Sequence, residues 1–300
     1  MHRLEDDTPE DELPTLSSAL ATATRTLAAA GVASPRVDAE LLAAHALGVP
    51  RARLLTASLD RVAAAEFARL VAGRAARVPL QHLTGHAPFY GLELAVGPGV
   101  FVPRFETELM VEWALARLTP QARVVDLCSG SGAIALAVAT RLPTTQVYCV
   151  ERSEAALAWL RGNVTRLAPR VEVVVGDVAD DAVLGGLTGA VDMVLCNPPY
   201  VPESAPVDVE VAEYDPREAV FAGADGLDLM PAVARAAARL LRPGGLLAIE
   251  HDDTQGESLP RLLRATGHFD EVEDHRDLAG RPRYATARRG AERAWQDGLL

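Results

Sequence analysis

The fold of this 300-residue chain is decided by the segment Asp126-Leu127-Cys128-Ser129-Gly130-Ser131-Gly132-Ala133-Ile134-Ala135. The segment ends an apolar run and begins a helical stretch. Its two glycines permit a tight turn and let a ligand approach the backbone closely. Glu151 ends the next apolar run, 19 residues past Gly132, where a carboxylate can accept hydrogen bonds from both hydroxyls of a ribose. The pattern predicts a site for a nucleotide-like cofactor.

Apolar runs and helical stretches alternate from about residue 104 onwards. The predicted strands are Arg123–Cys128, Gln146–Glu151, Val171–Asp177, Val191–Cys196 and Gly245–Glu250, and the predicted helices are Ile134–Leu142, Glu154–Leu167 and Leu227–Leu241. Continuous apolar strands separated by helices are typical of a parallel sheet covered on both faces. Two last runs, Phe269–Asp277 and Arg281–Arg289, have no helix between them and indicate an antiparallel edge hairpin. We therefore predict an α/β fold with a doubly wound, mostly parallel sheet.

The rest of the chain divides by composition. Residues 1–14 form an acidic tail that we expect to be disordered, and residues 15–78 form a small helical domain that we expect to serve recognition. In that domain Ser34 is predicted to cap a helix that Pro35 begins. Residues 79–103 are predicted to form a linking hairpin that turns at Gly97-Pro98-Gly99, before a catalytic domain at 104–290 and a tail at 291–300.

Composition excludes several classes of protein. The net charge of −12 counts against a nucleic-acid-binding surface, and we expect no direct binding of nucleic acid. All 29 cationic residues are arginine, which excludes Schiff-base and P-loop lysine chemistry. The chain has no run of about 18 apolar residues and no apolar stretch at its N-terminus, so we expect a cytoplasmic protein without a membrane span. Cys128, Cys149 and Cys196 lack zinc-site spacing; we expect buried thiols and no metal.

A second motif, Asn197-Pro198-Pro199-Tyr200, follows the predicted strand Val191–Cys196. The carboxyl ends of strands line the ligand crevice in a doubly wound sheet. Because the prolines remove backbone donors, the side-chain carbonyl of Asn197 and the backbone carbonyl of Pro198 remain as acceptors. Tyr200 adds an aromatic face. Such a site suits a planar amino group, but it does not by itself distinguish a glutamine amide from the exocyclic amine of adenine.

The glycine-rich loop alone does not separate methyl transfer from hydride transfer, since S-adenosylmethionine and NAD place their ribose similarly. Asp126 favours the sulfonium cofactor, which carries positive charge where NAD carries a pyrophosphate. Two acceptors that pull on the hydrogens of an –NH2 group localise its lone pair towards a methyl sulfonium, and alignment supplies much of the rate. Asp177 is placed either to accept from an adenine amino group or to cap a helix.

The two motifs, with further segments, resemble the HemK/PrmC family of peptide-chain release factor glutamine N5-methyltransferases. The resemblance runs from about residue 15 to residue 289 and rests on segments at Pro79–Gly85, Phe89–Leu92, Val102–Glu108, Tyr214–Arg217, Gly226–Asp228, Arg242–Gly245, Glu250-His251 and Gln255–Glu257. It implies a seven-stranded Rossmann-like methyltransferase sheet behind the helical domain. It also implies methylation of the glutamine in the Gly-Gly-Gln loop of class 1 release factors, with S-adenosyl-L-methionine as cofactor. We expect the enzyme to be a monomer.

The resemblance also implies roles for individual residues. The glutamine amide would be held by Asn197, Pro198, Pro199 and Tyr200, of which Asn197, Pro198 and Tyr200 would be catalytic. The cofactor would be bound by Cys128, Ser129, Gly130, Ser131, Gly132, Glu151, Val178 and Asn197, with Phe101 and Arg104 nearby. The strand pattern adds Asp177 to this set of binding residues. Arg104 is expected either to reach the cofactor or to pair with Glu106 or Glu108. His251 is expected to be a hydrogen-bonded structural imidazole.

Four positions depart from the family pattern, and none lies in the amide site. Cys128-Ser129 stands where Gly-Thr is more common, Glu151 replaces an aspartate, and Phe105 replaces a proline. The alternatives to release-factor methylation are a glutamine methyltransferase of a ribosomal protein and an adenine-N6 methyltransferase. A non-catalytic binding module for translation factors is countered by the intact tetrapeptide, and an NAD oxidoreductase by the absence of a Tyr-Lys pair.

Overall fold

The computed structural model describes residues 13–291 of the chain. The chain divides into two compact units, with the boundary between Thr84 and Gly85. The predicted tails lie almost entirely outside the described residues. The segment Leu80–Thr84, which the sequence analysis placed in the linker, is helical and belongs to the first unit.

The described part of the N-terminal unit is helical, as predicted. Its elements are α1 (Leu16–Ala29), α2 (Pro35–Leu47), a 3₁₀-helix (Arg51–Thr56), α3 (Arg61–Ala75) and α4 (Leu80–Thr84). The helical spacing buries leucines and one phenylalanine in a shared core: Leu20, Leu27, Leu42, Phe67 and Leu70. Within this core the Arg74 guanidinium donates to Asp38 at 2.7 Å, so both buried charges are paired.

One capping prediction in this unit is wrong. Ser34 precedes α2 and Pro35 begins it, but the Ser34 side chain makes no capping hydrogen bond. Side-chain caps require an extended residue before the helix. The ψ angle of Ser34 is 61°, whereas ψ is 150° at Thr15 and 176° at Asp60, two residues that do cap their helices.

The hairpin that begins the second unit turns at a different place from the one predicted. Its strands are β1 (His86–Phe89) and β2 (Leu92–Ala95), and they are antiparallel. Tyr90 and Gly91 both have positive φ, 48° and 77°, as two-residue hairpin turns require. The expected turn at Gly97-Pro98-Gly99 instead follows β2, because Asn163 binds both the N–H and the C=O of Ala95 and ends the hairpin there.

The second unit is built around a seven-stranded sheet of order β5-β4-β3-β6-β7-β9-β8. The strands are β3 (Arg123–Leu127), β4 (Gln146–Glu151), β5 (Glu172–Val175), β6 (Val191–Cys196), β7 (Leu241–Glu250), β8 (Phe269–Arg276) and β9 (Pro282–Arg289). Strands β3 to β7 are parallel to one another, whereas β9 is antiparallel to β7 and to β8. The predicted doubly wound sheet with an antiparallel edge hairpin is confirmed. Because β4 and β6 flank β3 on opposite sides, the strand order reverses there and opens a crevice for ligands.

Helices cover both faces of the sheet. The helices of this unit are α5 (Thr107–Leu115), α6 (Ala133–Arg141), α7 (Glu154–Leu167), α8 (Val209–Tyr214), α9 (Arg217–Val220), α10 (Met230–Leu240) and α11 (Ser258–Ala265). Successive residues of a strand point to opposite faces, so Val124 joins a core with α5, α6 and α7 while Val125 joins a core with α10 and α11. This double burial explains why the parallel strands are mostly apolar on both faces rather than alternating apolar and polar.

Predicted boundaries agree best where a strand is fully buried. β4, β6 and α7 have the predicted bounds. β5 is shorter than the predicted run Val171–Asp177; the Gly176 N–H still donates to the Glu151 carbonyl at 3.0 Å, and the chain leaves the sheet after it. The helix predicted to begin at Leu227 begins at Met230 instead, where Pro231 occupies the first turn, a position that proline favours.

Candidate active site

The glycine-rich loop after β3 is fixed by one backbone and one side-chain hydrogen bond of Ser129. The Ser129 N–H donates to the Val150 carbonyl at 3.0 Å, and the Ser129 hydroxyl donates to the Asp126 carbonyl at 2.8 Å. Gly132 has φ of +87°, and a Cβ atom there would lie 2.6 Å from Cδ1 of Leu160. Only a residue without a side chain fits here, so Gly132 lets the loop turn closely packed against Leu160 of α7.

Glu151, at the end of β4, is fixed by three backbone donors. Its Oε2 accepts from the N–H of Gly130, and its Oε1 accepts from the N–H groups of Arg152 and Ser153, each at 2.8 Å. A carboxylate has about four lone-pair positions, so about one remains for a ligand hydroxyl. The longer glutamate arm thus ties the glycine-rich loop to the end of β4.

Asp126 is buried at the end of β3, beneath the glycine-rich loop. It is 1% exposed, and its Oδ2 accepts one long hydrogen bond, 3.3 Å, from the Ala135 N–H. Within the described residues its Oδ1 accepts none. Burial without a cationic partner raises the pKa of Asp126 to about 8, and the nearby Glu151 carboxylate adds to the effect. The carboxyl group is therefore mostly neutral at pH 7 and gives little support to the prediction that Asp126 favours a positively charged cofactor.

A cavity of about 310 Å³ opens at the carboxyl ends of β3, β4 and β6. Most residues predicted to bind the cofactor or the substrate line it: Phe101, Arg104, Cys128, Ser129, Gly130, Ser131, Glu151, Asp177, Val178, Asn197, Pro198, Pro199 and Tyr200. Gly132 lies outside this lining, as its packing against Leu160 requires. The volume of the cavity is within the range of small-molecule sites in proteins.

The structure corrects the expectation for one cysteine. Cys149 and Cys196 are buried, and burial raises the pKa of both thiols well above the usual value. Cys128 is partly exposed and lines the cavity, because its positive φ of 59° turns it out of the strand direction.

Arg104 pairs with a residue that the sequence analysis missed. Its guanidinium donates to Asp215 at 2.6 Å, rather than to Glu106 or Glu108, and stacks on the Phe101 ring at 4.9 Å. Burial raises the pKa of Asp215, and Arg104 offsets part of that rise. The pair joins the segment before α5 to the segment after α8, and both segments line the cavity.

Asp177, which follows β5, has both carboxylate oxygens engaged. Oδ1 accepts from the Ala179 N–H and Oδ2 from the Arg152 guanidinium, each at 2.9 Å. These two bonds lower the pKa of Asp177, the backbone bond contributing most. No helix begins at this loop, so the capping alternative is wrong. Asp177 remains in the cavity wall as a carboxylate braced by Arg152.

The tetrapeptide after β6 is braced by residues from three other segments. The Asn197 carboxamide donates from Nδ2 to the Thr107 hydroxyl at 3.2 Å, and the Tyr200 hydroxyl donates to Glu250 at 2.9 Å. The Tyr200 carbonyl accepts from the Gln255 side chain at 3.0 Å. Tyr200 lines the cavity, and its hydroxyl is buried. The sequence analysis assigned no role to Thr107, Glu250 or Gln255, although all three lie in segments that carry the family resemblance.

His251 lies outside the cavity lining. Its ring nitrogens face the Asp252 carbonyl at 2.8 Å and the Asp274 carboxylate at 2.9 Å, and the residue is fully buried. These contacts bind the end of β7 to β8, which suits a structural imidazole. Across residues 13–291, no three His, Cys, Asp or Glu side chains come together in a group that could hold a metal ion.

Comparison with known proteins assigns the chain to a family. The PrmC N-terminal domain matches residues 18–85, and the methyltransferase small domain matches residues 93–214. A release factor glutamine methyltransferase of Mycolicibacterium smegmatis is 51% identical to this chain over 91% of this chain and 98% of the relative. The chain belongs to the release factor glutamine methyltransferase family. Members from Streptomyces coelicolor and Corynebacterium glutamicum are 48% and 44% identical, over 91% and 92% of this chain and 98% and 99% of their own length.

The methyl donor of a release factor glutamine methyltransferase is S-adenosyl-L-methionine, and the cavity residues fit it. Glu151 retains a lone-pair position for a ribose hydroxyl, and the Gly130 backbone has open space where a side chain would stand. Val150, Val178 and Ile134 supply apolar wall for a planar base. Among the described residues, no helix is both long enough and apolar enough to cross a membrane.

Proposed function

We propose that this chain methylates the side-chain nitrogen N5 of the glutamine in the Gly-Gly-Gln loop of class 1 release factors. The family activity, methylation of a release factor glutamine with S-adenosyl-L-methionine, is that of relatives up to 51% identical over most of the chain. One observation carries the finer proposal: Asn197, Pro198 and Tyr200 line the same cavity as the glycine-rich loop. The acceptor groups for an amide therefore stand beside the site of the methyl donor.

The cofactor would be held by the loop residues 128–131 and by Glu151, with Val178 and Phe101 against it. When bound, S-adenosyl-L-methionine supplies an electrophilic methyl group on a positively charged sulfur. Arg104 is committed to Asp215 and Phe101, and so we assign it to the cavity wall rather than to direct cofactor contact.

The glutamine amide would be oriented by two carbonyl oxygens. Asn197 directs Nδ2 at Thr107, which leaves its Oδ1 as an acceptor for a ligand, and Pro198 contributes its backbone carbonyl. An amide nitrogen is a weak nucleophile because its lone pair is delocalised. Acceptors on both of its hydrogens hold the nitrogen with its lone pair towards the methyl group, and such alignment contributes much of the rate of a displacement. The Tyr200 ring would stack on the amide plane.

The remaining assignments extend this proposal to the whole protein. The helical domain of residues 15–78 would recognise the release factor, and residues 104–290 would carry out the transfer. The enzyme would act as a cytoplasmic monomer without direct contact to nucleic acid. The net charge of −12 supports the last point, because a duplex repels an acidic surface.

The proposal is tested with isotopically labelled S-adenosyl-L-methionine and three acceptors: a class 1 release factor, ribosomal protein and an adenine-containing oligonucleotide. Label on the Gly-Gly-Gln peptide is the expected result. Asn197→Ala is expected to lower kcat by about a hundred-fold, as the loss of one positioned transition-state contact does elsewhere. S-Adenosyl-L-methionine affinity, measured by calorimetry, should fall much less.

Label on ribosomal protein or on adenine, with none on the release factor, would overturn the choice of substrate. Full turnover by Asn197→Ala would remove the proposed role of the tetrapeptide. Thr145→Val serves as a matched control, because Thr145 is buried at the opposite end of β4 from the cavity.

A further inference from the structure

A buried glutamine holds the carboxyl end of the tetrapeptide from outside the cavity. Gln255 is 2% exposed, belongs to the 3₁₀-helix Asp253–Gln255 that follows β7, and lies outside the cavity lining. Its Nε2 donates to the Tyr200 carbonyl at 3.0 Å and to the Asp225 carbonyl at 2.9 Å. Its Oε1 accepts from the Asp252 N–H at 3.0 Å. One side chain therefore connects the tetrapeptide to two other segments of the chain.

The orientation of the Gln255 carboxamide is determined by these three partners. A backbone N–H only donates and a carbonyl oxygen only accepts, so Oε1 must face Asp252 and Nε2 must face the two carbonyls. The reverse orientation would place N–H against N–H and one oxygen against two others. Because the side chain is buried, water does not replace a lost partner. Glutamate has the same length but no N–H to offer either carbonyl.

The backbone beside Gln255 leaves room for this contact. Gly226 has φ of +76°, and a Cβ atom there would lie 2.0 Å from the Tyr200 carbonyl oxygen and 2.6 Å from Nε2 of Gln255. Any side chain at position 226 would therefore displace the amide or the tetrapeptide. The close approach depends on the glycine as well as on the glutamine.

The tetrapeptide has few backbone hydrogen bonds with which to hold its own position. Its two prolines lack an N–H, so its backbone can donate only at Asn197 and Tyr200. The Tyr200 N–H donates to the Val220 carbonyl at 3.2 Å, and the Tyr200 carbonyl accepts from Gln255. The position of the Pro198 carbonyl, a proposed acceptor for the substrate amide, thus depends on how firmly Tyr200 is held.

We propose that Gln255 is a positioning residue for methyl transfer, which fixes the carboxyl end of the tetrapeptide and thereby the Pro198 carbonyl. It acts through the Tyr200 backbone and touches neither substrate nor cofactor. A tetrapeptide released at Tyr200 would still admit the glutamine, but it would no longer hold the amide nitrogen in line with the methyl group, and the rate depends steeply on that alignment. The inference rests on the function proposed above for the tetrapeptide.

Asn163 provides a matched comparison behind the glycine-rich loop. It is fully buried, and its Nδ2 donates to the carbonyls of Ala95 at 2.9 Å and Ser131 at 3.0 Å. Its Oδ1 accepts from the Ala95 N–H at 2.8 Å and from the Arg166 guanidinium at 3.1 Å. Each carboxamide thus binds two backbone carbonyls and one backbone N–H. Asn163 does so on the cofactor side of the cavity, because Ser131 belongs to the loop, whereas Gln255 does so on the acceptor side.

The test replaces the Nε2 amino group of Gln255 by oxygen. Gln255→Glu keeps the acceptor for Asp252 but removes both donors. It is expected to lower kcat for release-factor methylation by about ten-fold, the factor that corresponds to a buried hydrogen bond of about 1.4 kcal/mol. The calorimetric affinity for S-adenosyl-L-methionine and the KM for the release factor should stay close to wild type.

Two further variants separate positioning from general destabilisation. Asn163→Asp removes the same two donors on the cofactor side, and should weaken S-adenosyl-L-methionine binding while kcat at saturating cofactor stays closer to wild type. Gln255→Met removes the donors without adding charge and should lower kcat as Gln255→Glu does, so it tests the inference if Gln255→Glu does not fold. Each variant is assayed at a temperature at which circular dichroism shows it to be folded.

Wild-type kcat in folded Gln255→Glu or Gln255→Met would overturn the inference and leave the proposed function intact. A loss of S-adenosyl-L-methionine affinity in Gln255→Glu as large as its loss of kcat would also overturn it. So would an equal fall in kcat in Asn163→Asp, because both results would indicate a general loosening of the unit. If wild-type enzyme fails to label the release factor, the proposed function falls, and the positioning inference falls with it.

Discussion

Asp126→Asn should change how the stability of the methyltransferase unit depends on pH. The Asp126 carboxyl is fully buried, has one long hydrogen bond and has a pKa of about 8, against about 3.9 in an unfolded chain. An acid whose pKa is raised by folding binds its proton more tightly in the folded state. The free energy of unfolding therefore falls as the pH rises between the two pKa values.

The magnitude follows from the size of the shift. Each pH unit within this window costs about 1.4 kcal/mol, so the wild type should lose about 4 kcal/mol from Asp126 alone between pH 5 and pH 8. Asparagine has the shape of the protonated acid and does not ionise. The difference in unfolding free energy between Asp126→Asn and wild type should move by the same amount in favour of the variant.

Equilibrium denaturation in urea at the two ends of the window measures this difference. Other titrating groups are shared by the two proteins and cancel in the comparison. A difference that stays constant with pH would show that Asp126 is not held neutral, and a difference that moves in favour of the wild type would show that it is ionised and paired.

Two further predictions concern the neighbourhood of the cavity. Glu151→Gln should weaken S-adenosyl-L-methionine binding in calorimetry by about ten-fold or more, because the amide can accept from fewer of the three backbone donors; an unchanged Kd would contradict this. Gly226→Ala should lower both Tm and kcat, since its Cβ would lie 2.0 Å from the Tyr200 carbonyl oxygen. Gly189→Ala shares the positive φ without a close neighbour, and an equal loss of kcat there would refute the explanation.

The sheet could be predicted from sequence because its strands are buried on both faces. A run such as Val191–Cys196 is apolar except for Asp192, so its bounds could be predicted from composition. The positions of the glycine-rich loop and the tetrapeptide follow from the same pattern, since both come directly after such runs. The cavity lining contains most of the residues predicted on that basis.

The contacts that were missed depend on residues distant in sequence. Arg104 lies next to two glutamates in the chain, yet its partner Asp215 is 111 residues away. The sequence contains two glycine-containing turns that could close the hairpin, Tyr90-Gly91 and Gly97-Pro98-Gly99. The choice between them depends on Asn163 in α7, which binds the backbone of Ala95. Local patterns identify candidate turns and charges, but the partner is chosen by the packed fold.

The braces of the tetrapeptide have a consequence for how the enzyme loses activity. The glycine-rich loop is tied to the end of β4 by the hydrogen bond from the Gly130 N–H to Glu151. The tetrapeptide instead depends on hydrogen bonds to residues 90 and 50 positions away in the chain, from Asn197 to Thr107 and from Tyr200 to Glu250. Local opening at the end of β7 would break the Tyr200–Glu250 bond and leave the loop intact. A partly unfolded or heat-aged preparation would then still bind S-adenosyl-L-methionine in a binding assay, although it would no longer transfer the methyl group.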